Sequence, residues 1–279
     1  MNERPLHTHP QLPTILAVGA LLLAAIGSAA GLFVSDLYRD SEAWIREAQA
    51  TDVVTLVLAV PLLATALWLA RRGDVRWQSL VAGALWYLAY SYAIFAFSVA
   101  PNELSLLYIA VLGLATWSLV LRLCASDERS LADVSPRLPG RATGVFLLAV
   151  PVVFGLLWLG EIAGAASAAE PSEALVELGL PTNPIWALDL AFALPVVAYA
   201  GIRLLRSDAR ALSTALPALV FLVLIGCAVF GVFVFDIAAG ADLEPVPMII
   251  VGTITAIAVA LGLTAMLPRS SATGATLEP

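Results

Sequence analysis

Eight apolar runs divide this chain, each about the ~20 residues an α-helix needs to cross a bilayer. The gaps between them alternate between arginine-bearing and acidic. Few folds are open to such a chain. In hydrocarbon every backbone N–H and C=O must find a partner within the protein, so each run reads as a transmembrane helix. The runs fall at 13–34, 53–70, 80–99, 105–124, 142–165, 184–205, 211–235 and 246–267. Only 13% of the residues are charged and 61% are hydrophobic, whereas a soluble domain carries about 25% charged residues. The expected fold class is an all-α integral membrane protein, a bundle of eight transmembrane helices with the lipid bilayer as its first partner.

The gaps also set an expected orientation. Taking every second gap together, one side holds twelve of the fourteen arginines, Arg4 included, and seven acids, a net +5. The other side holds Arg39, Arg46 and fourteen acids, Glu161 and Asp189 counted with them, a net −12. The positive-inside rule assigns the arginine side to the cytoplasm. Both termini are then cytoplasmic, in a cell membrane crossed many times. Residues 1–30 also fit a signal peptide with a small-residue end at Gly27-Ser28-Ala29-Ala30. A retained helix is preferred, because the apolar run continues through Leu32, Phe33 and Val34 and only Arg4 precedes it as a base.

Several function classes are excluded. There is no lysine, so a retinal Schiff base is impossible, and no basic stripe exists to neutralise nucleic-acid phosphates. The two histidines, His7 and His9, lie in the N-terminal tail. An intramembrane haem or copper centre built on imidazole therefore has no ligands, and no cofactor is expected. No nucleophile elbow, phosphate loop or zinc-protease helix motif occurs. Cys124 and Cys227 each fall inside a span and read as small buried hydrophobes. Lysine-free, alanine-rich, acidic composition suits a prokaryote of GC-rich genome or salty habitat.

The segment Pro61 to Arg76 lies without gaps over Pro195 to Arg210, matching the proline, two alanines and the exits Arg72/Asp74/Arg76 and Arg206/Asp208/Arg210. The expectation is one transmembrane domain over 1–279 made of two four-helix halves of the same orientation, 1–124 and 142–269. A cytoplasmic linker at 125–141 joins them, and a disordered tail follows at 270–279. Parallel repeats of this kind are related by an axis along the membrane normal. The register puts Thr55 opposite Asp189.

Asp189 is the main candidate for chemistry. Asn183 and Pro184 read as a helix cap and first turn, which places Asp189 roughly 9 Å below the helix end. A carboxylate facing lipid at the bilayer centre costs about 2.5–3.5 kcal/mol, so it must face protein or water. Arg39, Tyr90, Tyr92, Thr55 or Asn183 is expected as its partner. Arg39, an acidic-side base, is expected to pair with Asp36, Asp52, Glu161 or Asp189. The candidate ligand-binding set is Asp189, Arg39, Asp36, Thr55, Tyr90, Tyr92 and Glu161. Tyr87 and Tyr90 share a face of the third span with Trp86. Ser41 to Gln49 and Glu170 to Leu178 read as short interfacial helices. Carboxylate ligation of a hard cation by Asp36, Asp52, Glu161, Asp189 and Asp236 has no recognised spacing, and no metal site is assigned.

Asp36-Leu37-Tyr38-Arg39-Asp40 with Trp44, Trp86-Tyr87 through Phe97, and Pro181 through Phe192 resemble segments of a group of prokaryotic multi-pass membrane proteins with no assigned activity. The resemblance spans most of the chain. It implies the architecture and transfers no residue role. The functional expectation is binding or transport of a small solute or cation through an outward-facing acidic and aromatic cavity. An intramembrane enzyme acting on a lipid or isoprenoid head group, or a structural subunit of a membrane complex, are the alternatives.

Overall fold

The computed structural model of the protein describes residues 11–125, 138–168, 172–208 and 211–266. Arg4, His7, His9, Arg129, Arg137, Glu170, Arg210, Arg269, most of the linker and the C-terminal tail lie outside the described residues. Eight of the described helices are long and apolar enough to cross a membrane. They are α1 (Leu12–Phe33), α2 (Glu42–Ala70), α3 (Val75–Ser98), α4 (Ser105–Ala125), α5 (Gly140–Ser167), α7 (Pro184–Leu205), α8 (Ala211–Ala238) and α9 (Pro245–Met266), with a short α6 (Glu173–Leu178) between the fifth and sixth spans. Successive spans run antiparallel, so the acidic connections gather at one end of the bundle and the arginine connections at the other.

The helix starts follow local chemistry. Ser41 caps α2 by accepting from the Trp44 amide, Asp74 caps α3, and Asn183 caps α7 ahead of Pro184. Each satisfies an amide that would otherwise be left without a partner. Gly179 ends α6 in the left-handed region at φ 69°, where a side chain would be strained.

One segment departs from expectation. Glu42–Gln49 is not an interfacial helix; it is the first part of α2, which continues unbroken to Ala70. The reason is tertiary. Trp44, Ala48 and Ala50 are buried, and α2 packs along α8, with Ala50 against Gly231. At the acidic end Arg46 Nε meets Asp236 Oδ1 at 2.7 Å, with both side chains about a quarter exposed. The amphipathic pattern is real, but its apolar face meets protein rather than lipid.

α1 to α4 form a closed ring, each packing on its neighbours and α1 on α4. α5 packs on α7, α7 on α8 and α8 on α9. α8 also lies against α2 and α3 and so joins the two groups of helices. α3 and α8 pack closely at Gly83, where an added Cβ would lie 2.5 Å from Val220 Cβ and 2.8 Å from the Pro217 carbonyl. The register that lays Pro61 on Pro195 also lays Gly83 on Pro217.

α2 and α7 share a further feature. Each contains a π-helical turn, Thr55–Ala59 in α2 and Asp189–Ala193 in α7. The Val60 amide bonds the Thr55 carbonyl and the Leu194 amide bonds the Asp189 carbonyl. Pro61 and Pro195 follow at once. Proline has no N–H and crowds the carbonyl four residues back, and widening the preceding turn relieves that clash.

Candidate functional site

Two polar clusters lie toward the acidic end, one on each side of α3. The first is centred on Asp189. Its Oδ1 accepts from the Tyr90 hydroxyl at 2.8 Å and its Oδ2 from Trp158 Nε1 at 2.8 Å. Trp186 Nε1 in turn donates to Glu161 Oε2 at 2.9 Å. Trp158 and Glu161 are one helical turn apart on α5, and Trp186 and Asp189 are one turn apart on α7. The two antiparallel spans thus exchange a tryptophan donor for a carboxylate acceptor twice. Tyr90, among the expected partners, is found with Asp189; Arg39, Tyr92, Thr55 and Asn183 are not.

The second cluster is centred on Asp52, which is only 1% exposed. It sits about ten residues into α2, or about 15 Å along the helix. The Tyr38 hydroxyl donates to its Oδ2 at 2.5 Å, and Ser28 lies within hydrogen-bond reach. Ser28 Oγ is 3.4 Å from the Tyr92 hydroxyl, which donates to the Ala24 carbonyl. One helical turn along α2, Thr55 pairs with the Tyr87 hydroxyl at 3.0 Å. Phe95 stacks between Tyr38 and Tyr108, and the amide of Asn102 donates to the Tyr108 hydroxyl at 3.4 Å. Burial, with the Asp52 carboxylate beside it, holds the Tyr38 hydroxyl far above the usual phenol range, so it stays a donor.

Glycine makes this arrangement possible. A Cβ on Gly31 would overlap the Asp52 carboxylate and the Tyr38 hydroxyl. The Gly27/Gly31 pair of α1 therefore serves to admit side chains rather than to bring two helix backbones together. Among the described residues, neither Asp52 nor Asp189 has a salt bridge; the pairs formed are Arg39–Glu103, Arg46–Asp236 and Arg203–Asp208. Arg39 thus does not meet Asp36, Asp52, Glu161 or Asp189. It pairs with Glu103 at 2.5 Å on the exposed link between α3 and α4, within reach of the Pro101 carbonyl.

A polar-lined cavity of about 350 Å³ opens at the end of α1 and the loop that follows it, with Gly31, Asp36, Tyr38, Ile45 and Gln49 in its wall; Tyr38, which bonds Asp52, lines it and Asp52 itself does not. Asp36 is exposed there and takes a left-handed backbone, φ 60°. Tyr90 and Tyr92 do not line this cavity; they are packed with Trp86, Phe221, Phe95 and Tyr108. The aromatic residues are thus packed in the core, and the cavity has a single acid, Asp36, in its wall. No family model, curated protein or solved structure matches this chain. No three acidic, histidine or cysteine side chains converge as a metal-ligand set among the described residues. Cys227 is half-buried, whereas Cys124 is exposed on the bundle exterior, and both are free thiols.

Three residues of these clusters stand outside the candidate ligand-binding set. Asp52 directly precedes the expected second span, and the continuation of α2 through it is set by tertiary packing. Tyr38 comes from a loop and has no periodicity. Trp158 was legible in principle: Trp-x-x-Glu and Trp-x-x-Asp occur on consecutive antiparallel spans, the spacing that lets them pair.

Proposed function

We propose that the protein is a carrier that binds a small solute together with a proton or a monovalent cation at the acidic end of the bundle, with Asp52 as the charge-bearing residue. The observation that supports this reading is a buried carboxylate held only by neutral hydroxyls, one of which, that of Tyr38, belongs to a residue lining a polar cavity. Such a group inside a membrane bundle has to be neutralised by a proton, a cation or a ligand. Asp189 is a weaker candidate, because both its oxygens are engaged by donors that clasp two helices together.

The paired π-turns support movement. Each weakens the regular hydrogen-bond ladder at one level of α2 and α7, and each opens on a polar residue bonded to a tyrosine of α3. With the Gly83/Pro217 crossing they favour two repeated halves of the same orientation that rock about α3 and α8. The acidic end is read as the outer face and the arginine end as the cytoplasmic face of a prokaryotic cell membrane.

The test is thermal unfolding of the purified protein in detergent between about pH 5 and 9, in sodium, potassium or choline chloride. Saturating a site at about 100 times its dissociation constant should raise Tm by roughly 5–10 °C. Wild type should gain from acid or from one of the cations; Asp52→Asn should lose any cation response and keep only the part of an acid response that other buried carboxyls such as Asp40 supply. Equal responses in both proteins, or none in wild type, would sink the proposal.

A further inference from the structure

The arginine end carries a second site, built from different chemistry. A cavity of about 180 Å³ lies between α2, α3, α8 and α9, and every residue lining it is apolar; Leu62, Leu80, Leu216, Val259, Leu263 and Met266 mark its walls. It is open to the side of the bundle, since Leu263 is 63% exposed and Val259 is 38% exposed on its rim. Along α9 it runs from Ala258 to Met266, which at 1.5 Å per residue is about 12 Å. That is close to the depth of one leaflet, about half of a ~30 Å hydrocarbon core.

The mouth of this groove is basic. Arg76 lies one turn before Leu80 on α3, and its Nη1 donates to the Met266 carbonyl at 3.2 Å. Its Nε is buried and has no hydrogen-bond partner among the described residues. Arg71 and Arg72 stand beside it in the connection between α2 and α3 and are exposed. The acid in that connection, Asp74, accepts from the Arg76 backbone amide as a helix cap. Arg72 lies over the exposed Trp68 ring, 4.8 Å from its centroid. An exposed tryptophan under an arginine is the arrangement expected at headgroup level.

We propose that this groove holds one acyl chain of an anionic phospholipid from the arginine-side leaflet, with the lipid phosphate on Arg76 and its neighbours Arg71 and Arg72. The occupant follows from the combination. An apolar slot of leaflet depth, open to hydrocarbon, takes an acyl chain; the three arginines at its mouth select a negative head group. This inference is independent of Asp52 and of transport.

Gly262 provides a clean probe. It lines the groove, and a Cβ built on it meets nothing within 4 Å. Gly262→Leu should therefore fill the slot without disturbing Arg76. Delipidated protein in detergent would be titrated with dioleoyl phosphatidylglycerol or dioleoyl phosphatidylcholine, reading retained lipid by native mass spectrometry and Tm in parallel. Wild type should retain one phosphatidylglycerol tightly and bind phosphatidylcholine at least about tenfold more weakly. Arg76→Gln should weaken phosphatidylglycerol about tenfold, the effect of losing one charge-assisted contact. Gly262→Leu should lose the tight site while keeping the wild-type Tm in lipid-free detergent. Equal affinity for the two lipids would show a chain-binding slot without head-group selection and overturn the proposal. Unchanged phosphatidylglycerol binding by Gly262→Leu would place the lipid elsewhere and overturn it as well.

Discussion

Replacing Gly31 by alanine is the sharpest test of the packing beneath the acidic end. The added Cβ overlaps the Asp52 carboxylate and the Tyr38 hydroxyl. Neither can step aside freely, because Asp52 is buried on α2 and Tyr38 is bonded to it. Overpacking a filled site costs about 1–3 kcal/mol. Displacing the carboxylate also forfeits a charge-assisted hydrogen bond, about 1.5–3 kcal/mol. The expected loss for Gly31→Ala is therefore about 3–5 kcal/mol in a denaturant titration in mixed micelles followed by tryptophan fluorescence. Two controls calibrate it. Gly27→Ala meets the end of the Leu107 side chain, which can rotate away, and more loosely the Tyr92 hydroxyl at 3.2 Å, and should lose about 1–2 kcal/mol. Gly155→Ala meets open space and should be stabilised by about 0.5–1 kcal/mol through helix propensity. Adding Asp52→Ala to Gly31→Ala should recover part of the loss, a non-additivity expected of residues in contact. If Gly31→Ala behaves like Gly155→Ala, Asp52 does not sit against α1 and the site described here is wrong.

Three further expectations follow from the same contacts. Asp189→Asn should cost less than about 1 kcal/mol, because the Tyr90 hydroxyl can reverse to accept from the new amide while Trp158 keeps its oxygen; Asp189→Leu strands both donors and should cost about 2 kcal/mol or more, read in the same titration. Asp40 is raised above the usual carboxylate value by burial, against the opposing Ala100 and Arg39 amides. The folded state then binds more protons than the unfolded one between the ordinary and the raised value, so stability falls as pH rises through that window. Asp40→Asn keeps an acceptor for the Ala100 amide and should flatten this slope; a steeper slope in the variant would refute the assignment. In a background without Cys124 and Cys227, single cysteines at Glu42 and Asp242 should react with an impermeant thiol reagent in intact cells, and those at Arg72 and Arg206 should not; the reverse pattern would invert the orientation.

How much was legible in the sequence follows from range. Spans and caps are local. Twenty apolar residues must be helical in hydrocarbon, and Asn183-Pro184 or Ser172 with Gly179 mark their own ends, so the eight helices can be read from composition and order alone. The proline register that paired Thr55 with Asp189 was also local, and both residues open a π-turn because a proline follows each at the same distance. What tertiary structure decided is which carboxylate is isolated. Along the chain Asp52 follows the polar residues Arg46, Glu47, Gln49 and Thr51 whereas Asp189 lies among apolar ones, so the sequence points to Asp189 as the isolated carboxylate and the packing reverses that. Asp189 is clasped by Tyr90 and Trp158 from two other helices. Asp52 is covered by Tyr38, which reaches it from the loop after α1. Arg39, one residue further, is turned outward to Glu103. A single step along an irregular loop reverses the direction of a side chain, and only the packing of α1, α2 and α3 around that loop determines which residue points in.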